Sequence, residues 1–73
     1  MIRVGVIGYG YWGPNLARNF AESRVCELAG VCDLNPDRLA IFRKRHPATK
    51  AVSNHKELLD DPNIDAIAIA TPV

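Results

Sequence analysis

Val4-Gly5-Val6-Ile7-Gly8-Tyr9-Gly10-Tyr11-Trp12-Gly13 decides how this chain is read. It places the spacing G-x-G-x-x-G where an apolar strand gives way to a helix, which is the form of a dinucleotide-binding turn. Gly8 and Gly10 let the backbone turn sharply and approach a pyrophosphate that a Cβ would hold off; Gly13 lets the helix lie close against the strand. The helix start then aims unpaired N–H groups and the positive end of its dipole at the phosphates.

The surroundings sharpen this reading. A second apolar run, Val25 to Cys32, ends in Asp33, which stands 20 residues after Gly13. A carboxylate there accepts hydrogen bonds from the adenosine ribose hydroxyls, whereas a 2′-phosphate would meet like-charge repulsion. That favours NAD over NADP, and Leu34 beside it brings no group to receive a phosphate. Arg38 leaves two readings open: it reaches the adenosine end, stacking on the base or softening the penalty against NADP, or it is a solvated arginine on a helix surface. Tyr11 and Trp12 direct their backbone N–H groups at the pyrophosphate, and their rings either wall the pocket or pack against the rest of the protein. Thr71, followed by Pro72, falls at the carboxyl edge of the last strand, where ligands of open α/β sheets bind.

Strands and helices alternate along the whole chain. After the strand Ile2 to Ile7, a helix is expected from about Tyr11 to Glu22, with Pro14 in its first turn and Leu16, Ala17, Phe20 and Ala21 on its sheet-facing side. Val25 to Cys32 is apolar on both faces, as a central parallel strand must be. Asn35-Pro36-Asp37 supplies a cap, a proline and an acid for a second helix that carries Leu39, Ala40 and Phe42 and ends at Pro47. A short strand around Lys50 to Ser53 precedes Asn54-His55-Lys56-Glu57, a capping-box pattern opening a short helix with Leu58 and Leu59. Asp60-Asp61-Pro62-Asn63 breaks that helix, and Ile64 to Ala70 forms the fourth strand, with Ile67 and Ile69 on one face and Ala66, Ala68 and Ala70 on the other. The economical topology is a Rossmann-type α/β parallel sheet in the order 3-2-1-4.

Composition bounds the remainder. At 73 residues and 48% hydrophobic, the chain is ordinary globular material but too short for a complete doubly wound sheet, so residues 1–73 are expected to be the N-terminal part of a dinucleotide-binding domain. The net charge of +1 makes no electrostatic case for nucleic acid or an anionic membrane. No apolar run is long enough to span a bilayer and no leader precedes the first strand, so a cytoplasmic protein is expected. Cys26 and Cys32, both on the second strand and on one face by alternation, read as buried free thiols rather than a disulfide or metal site. His46 and His55 stand alone and read as surface residues, so no metal site is expected. A P-loop and a serine nucleophile elbow are excluded, because neither G-K-[S/T] nor G-x-S-x-G occurs.

Taken with the glycine turn, Val31-Cys32-Asp33, Glu57-Leu58-Leu59, Pro62-Asn63-Ile64-Asp65-Ala66 and Ile69-Ala70-Thr71-Pro72 give a chain that resembles, from Ile2 to Val73, the N-terminal half-domain of the Gfo/Idh/MocA oxidoreductases. The form Gly8 to Asn15 is similar to the branch acting on nucleotide-linked amino sugars, such as UDP-N-acetylglucosamine 3-dehydrogenases. The resemblance implies NAD bound to this domain, and a second α/β domain that presents a sugar, polyol or sugar-nucleotide hydroxyl and forms the usual homo-oligomer surface. It places the catalytic lysine of a Glu-Lys-Pro motif and a later Asp/His pair beyond Val73, so no catalytic residue is assigned here. Carried over by position, Gly8, Gly10 and Gly13 form the phosphate turn and Tyr11 and Trp12 lie over the pyrophosphate. Asp33 and Arg38 hold the adenosine, and Thr71 and Pro72 border the nicotinamide side. A rival of another class is a non-enzymatic Rossmann module that senses NAD(H) for a partner domain.

Overall fold

In the computed structural model, which describes residues 1–10 and 12–70, the first apolar run forms β1 (Ile2–Ile7) at the interior of a parallel sheet. The chain continues through α1 (Gly13–Glu22), β2 (Cys26–Cys32), α2 (Pro36–Arg45), β3 (Lys50–Val52), α3 (Lys56–Leu59) and β4 (Ala66–Ile69). The sheet order is β3-β2-β1-β4, with every neighbouring pair parallel, as the alternation of strands and helices predicts. Among the described residues no helix is long and apolar enough to cross a membrane.

Two cores lie on opposite faces of the sheet. On one, Val6, Leu28 and Val31 meet Ala17 of α1 and Phe42 of α2, with the Tyr9 ring edge-on to Phe42 at 5.2 Å. Phe42 is fully buried, and truncating such a side chain costs about 3–5 kcal/mol. On the other, Cys32, Val52 and Leu58 of α3 pack with Ile7, Ile64 and Ile67. The alternation foreseen for β4 holds, since Ala68 and Ala70 join the first core and Ile67 the second. Ala21 and Ala40, expected on buried helix faces, are exposed.

The cysteines depart from expectation. Register slips between β1 and β2, with Val4 opposite Leu28 but Gly5 opposite Gly30, so Ala29 is a bulge residue with no partner of its own. A bulge reverses the alternation beyond it. Cys26 pairs with Ile2 and Cys32 with Ile7, five residues apart on a regular strand, so the two thiols face opposite sides of the sheet. Cys32 is buried, Cys26 only partly, and both are free.

Element boundaries follow their caps. Asn35 Oδ1 accepts from the Asp37 N–H at 2.8 Å, which caps α2 as its sequence predicts. Asn54 Oδ1 accepts from the Lys56 N–H at 3.0 Å, one residue ahead of the position a capping box requires, because His55 is the residue that immediately precedes α3. At the amino end of the sheet the Arg3 N–H donates to Asp65 Oδ2 at 2.9 Å and Arg3 Nη1 to Glu27 Oε2 at 3.1 Å, which ties the entry to β4 to both older strands. Asp61 Oδ1 accepts from the Asn63 N–H at 2.8 Å and its other oxygen meets Lys50 Nζ at 3.2 Å. These two bonds, the backbone one first, hold the Asp61 carboxyl below the usual carboxylate range.

Candidate functional site

From β1 the chain crosses to β2 on one side and returns later to β4 on the other. The carboxyl end of β1 is therefore the switch point at which open α/β sheets bind ligands. A cavity of about 520 Å³ opens there, lined by Gly8, Gly10, Asp33, Leu34, Asn35, Arg38 and His55 above Ile7, Cys32 and Ala70.

Each glycine of the turn is required for a different reason. Gly8 has φ of 100°, which only glycine adopts without strain, and its N–H donates to the Cys32 carbonyl at 2.7 Å. A Cβ on Gly13 would collide with the Gly8 carbonyl, so the start of α1 closes directly onto the turn. The nearest atoms to a Cβ on Gly10 belong to the Arg38 guanidinium, from 3.1 Å, the far end of a flexible side chain, so this glycine keeps cavity space rather than backbone geometry.

The two helix starts differ in charge. The start of α2 is satisfied internally by Asn35 and has Asp37 in its first turn. The start of α1, at Trp12, has no side-chain cap bond and no acid in its first turn. Its positive pole thus meets no carboxylate of its own first turn, as an anion-binding helix start requires.

Asp33 is the one buried charged residue among those described. Its Oδ2 accepts from the Tyr9 N–H at 2.8 Å and its Oδ1 from the Asn35 N–H at 2.8 Å. A carboxylate has about four lone-pair positions, so two acceptor sites remain. Arg38 Nη1 lies 3.7 Å from Asp33 Oδ2 with its side chain half exposed at the rim of the cavity. Beneath them, burial pushes the Cys32 thiol up, and the charges of Asp33 and then Glu57 add to the shift.

Gly8, Gly10, Asp33 and Arg38 thus line one cavity, and Gly13 closes on it from α1. The Trp12 side chain, 61% exposed, lines a different cavity with Asn15, Leu16, Asn19 and Ile69. Tyr11, Thr71 and Pro72 lie outside the described residues. His55 is exposed, as its sequence position suggests, but it also lines the cavity, which that isolated position does not signal. Among the described residues no three His, Cys, Asp or Glu side chains gather to hold a metal. A cavity of this size, a glycine cradle that a Cβ would fill, a helix start with no acid in its first turn and a buried carboxylate with acceptor positions left fit a dinucleotide.

The model of the Gfo/Idh/MocA family, described as an oxidoreductase family with an NAD-binding Rossmann fold, matches residues 2–73. The chain belongs to that family. A myo-inositol 2-dehydrogenase of Thermotoga maritima is 33% identical over 70 residues, which are 96% of this chain and 21% of that protein. The crystal structure of a probable dehydrogenase from Thermotoga maritima aligns with a TM-score of 0.88 at 32% identity, over 97% of this chain and 21% of that one. Scyllo-inositol dehydrogenase from Lactobacillus casei, solved with NAD(H) and scyllo-inositol bound, shares the fold at a TM-score of 0.86 and 23% identity, over 99% of this chain and 22% of that one. This Gfo/Idh/MocA chain therefore spans about a fifth of the length of the relatives it matches.

Proposed function

We propose that this chain is the NAD-binding part of a dehydrogenase that oxidises a secondary alcohol on a sugar, polyol or sugar nucleotide. The observation that carries the reading is Asp33, buried at the mouth of the cavity with two acceptor positions left over from the Tyr9 and Asn35 N–H groups. In this reading Gly8, Gly10 and Gly13, with the backbone of Tyr11 and Trp12, receive the pyrophosphate. Asp33 and Arg38 hold the adenosine ribose, and Thr71 and Pro72 border the nicotinamide. NAD, when bound, supplies the hydride acceptor, while the protein orients it and excludes water. NAD is favoured over NADP by the charge of Asp33, with Arg38 limiting the margin.

Polyol substrates are supported by the relatives, which include a myo-inositol 2-dehydrogenase. Sugar nucleotides are supported by the form of Gly8 to Asn15 alone. The remainder of the protein presents the substrate and carries the acid–base groups and the homo-oligomer surface. The test is NADH formation by the full-length protein with NAD and, in turn, myo-inositol, scyllo-inositol and UDP-N-acetylglucosamine. Turnover with one of these substrates supports the proposal; tight NADH binding without turnover on any of them favours the sensing module instead.

A further inference from the structure

Helices α1 and α2 cover the same sheet face, and a second cavity of about 390 Å³ opens beside them, lined by Tyr9, Pro14, Asn15, Arg18, Arg45 and His46. It shares no lining residue with the dinucleotide crevice. Two guanidinium groups, an imidazole and a phenol face it, and no carboxylate does.

The cavity is therefore basic on every charged side chain that lines it. With nine Lys and Arg against eight Asp and Glu, the protein has nearly enough acids to pair every base. Arg3, Arg38 and Lys50 each have a carboxylate within reach, at 3.1, 3.7 and 3.2 Å. Among the described residues Arg18 and Arg45, like Arg24, Arg43, Lys44 and Lys56, have none, and of these six only Arg18 and Arg45 line one cavity. Arg18 donates to Asn15 Oδ1 and Arg45 to the Tyr9 hydroxyl, each at a long 3.5 Å, and both acceptors are neutral. A guanidinium carries five N–H donors, so most of each fork is left over.

The negative pole of α2 accounts for a basic last turn, Arg43 to Arg45, but not for the convergence. Arg43 reaches the Ala51 carbonyl instead, while Arg45 turns toward a cavity that Arg18 enters from a different helix. His46 is fixed at the wall by stacking on the buried Phe42, with ring centroids 5.0 Å apart and planes 27° from parallel. A planar guanidinium fork matches phosphate oxygens in pairs, and a volume near 390 Å³ lies within the range of small-molecule sites.

We propose that this cavity is a second anion site, binding a phosphate group through Arg18 and Arg45 with His46 and the Tyr9 hydroxyl completing the shell. The site is separate from the dinucleotide crevice, with which it shares no lining residue, although the Tyr9 backbone N–H also holds Asp33. The phosphate comes either free or on a small phosphorylated sugar, and the experiment separates the two.

Isothermal titration calorimetry of the full-length protein with inorganic phosphate, and separately with glucose 6-phosphate, tests it in the presence and absence of NADH. The expected result is saturable binding of at least one probe that persists with NADH present. Arg18→Gln and Arg45→Gln should each weaken it about tenfold. The NADH affinity and the melting temperature of both variants stay at the wild-type values. Preference for glucose 6-phosphate assigns a phosphorylated molecule, and equal or better binding of inorganic phosphate assigns the free ion. No binding of either probe, binding unchanged in both variants, or displacement by NADH would overturn the proposal.

Discussion

The backbone N–H of Tyr9 donates to Asp33 Oδ2 at 2.8 Å, so the acid that ends β2 fastens the middle of the glycine turn that follows β1. Its other oxygen fastens the start of the next loop through the Asn35 N–H. Asp33 therefore shapes the site before any ligand arrives.

Replacing Asp33 should accordingly cost stability as well as affinity. In Asp33→Asn one backbone N–H faces an amide N–H₂ instead of an acceptor, a buried mismatch worth about 1–3 kcal/mol. Chemical denaturation should show that loss. Calorimetry should show NADH bound at least about tenfold more weakly, with the preference against NADPH narrowed. A variant with unchanged stability would mean that the lost backbone bond contributes nothing.

The three glycines should rank by what a Cβ meets. Gly13→Ala drives a methyl into the Gly8 carbonyl and should cost about 1–3 kcal/mol or more. Gly8→Ala keeps a left-handed backbone at about 1–2 kcal/mol. Gly10→Ala displaces only the Arg38 guanidinium and should stay within about 0.5 kcal/mol. Urea denaturation of the three variants reads the order directly.

Cys32 reports on the crevice. Burial pushes its thiol above the ordinary range, with Asp33 and Glu57 reinforcing the shift, so its thiolate forms only at higher pH. Because the folded state holds that proton more tightly than the unfolded one, the linked stability is present below the unfolded thiol's range and fades as pH rises through the folded value. Iodoacetamide at neutral pH should label the partly exposed Cys26 several-fold faster than Cys32, and NADH should slow Cys32 further without protecting Cys26. Mass spectrometry of the two peptides checks both statements.

Arg38 sets the margin of cofactor choice. Its guanidinium, 3.7 Å from Asp33 and half exposed, offsets part of the negative charge that a 2′-phosphate would meet. Arg38→Gln should widen the preference for NADH over NADPH about threefold, a modest figure because the pair is screened by solvent. Parallel titrations with the two reduced cofactors measure it.

Much of this was legible in residue order. The glycine turn, the cap at Asn35, the order 3-2-1-4 and the alternation of Ile67 and Ala68 all rest on local chemistry that a sequence displays. The Ala29 bulge was not, because a strand apolar on both faces has no polar residue to mark where alternation reverses, and so the Cys26–Cys32 relation was misread. His55 reaches the crevice, and Arg18 and Arg45 reach their common cavity, only through tertiary placement of separate elements. Asp65, read as a residue of the fourth strand, lies just ahead of it, where its side chain is the acceptor that clamps the Arg3 backbone.

The most direct test of the account is NADH binding by Gly10→Val in the full-length protein, with its thermal melt recorded alongside. Gly10 lines the crevice, and the atoms nearest a Cβ added there belong to the Arg38 guanidinium, which can give way, so the fold should tolerate the change while the cradle fills. The account predicts a melt close to wild type and NADH affinity reduced about tenfold or more. A folded variant that binds NADH as well as wild type would contradict it, because the cofactor would then lie somewhere other than the turn between Gly8 and Gly13.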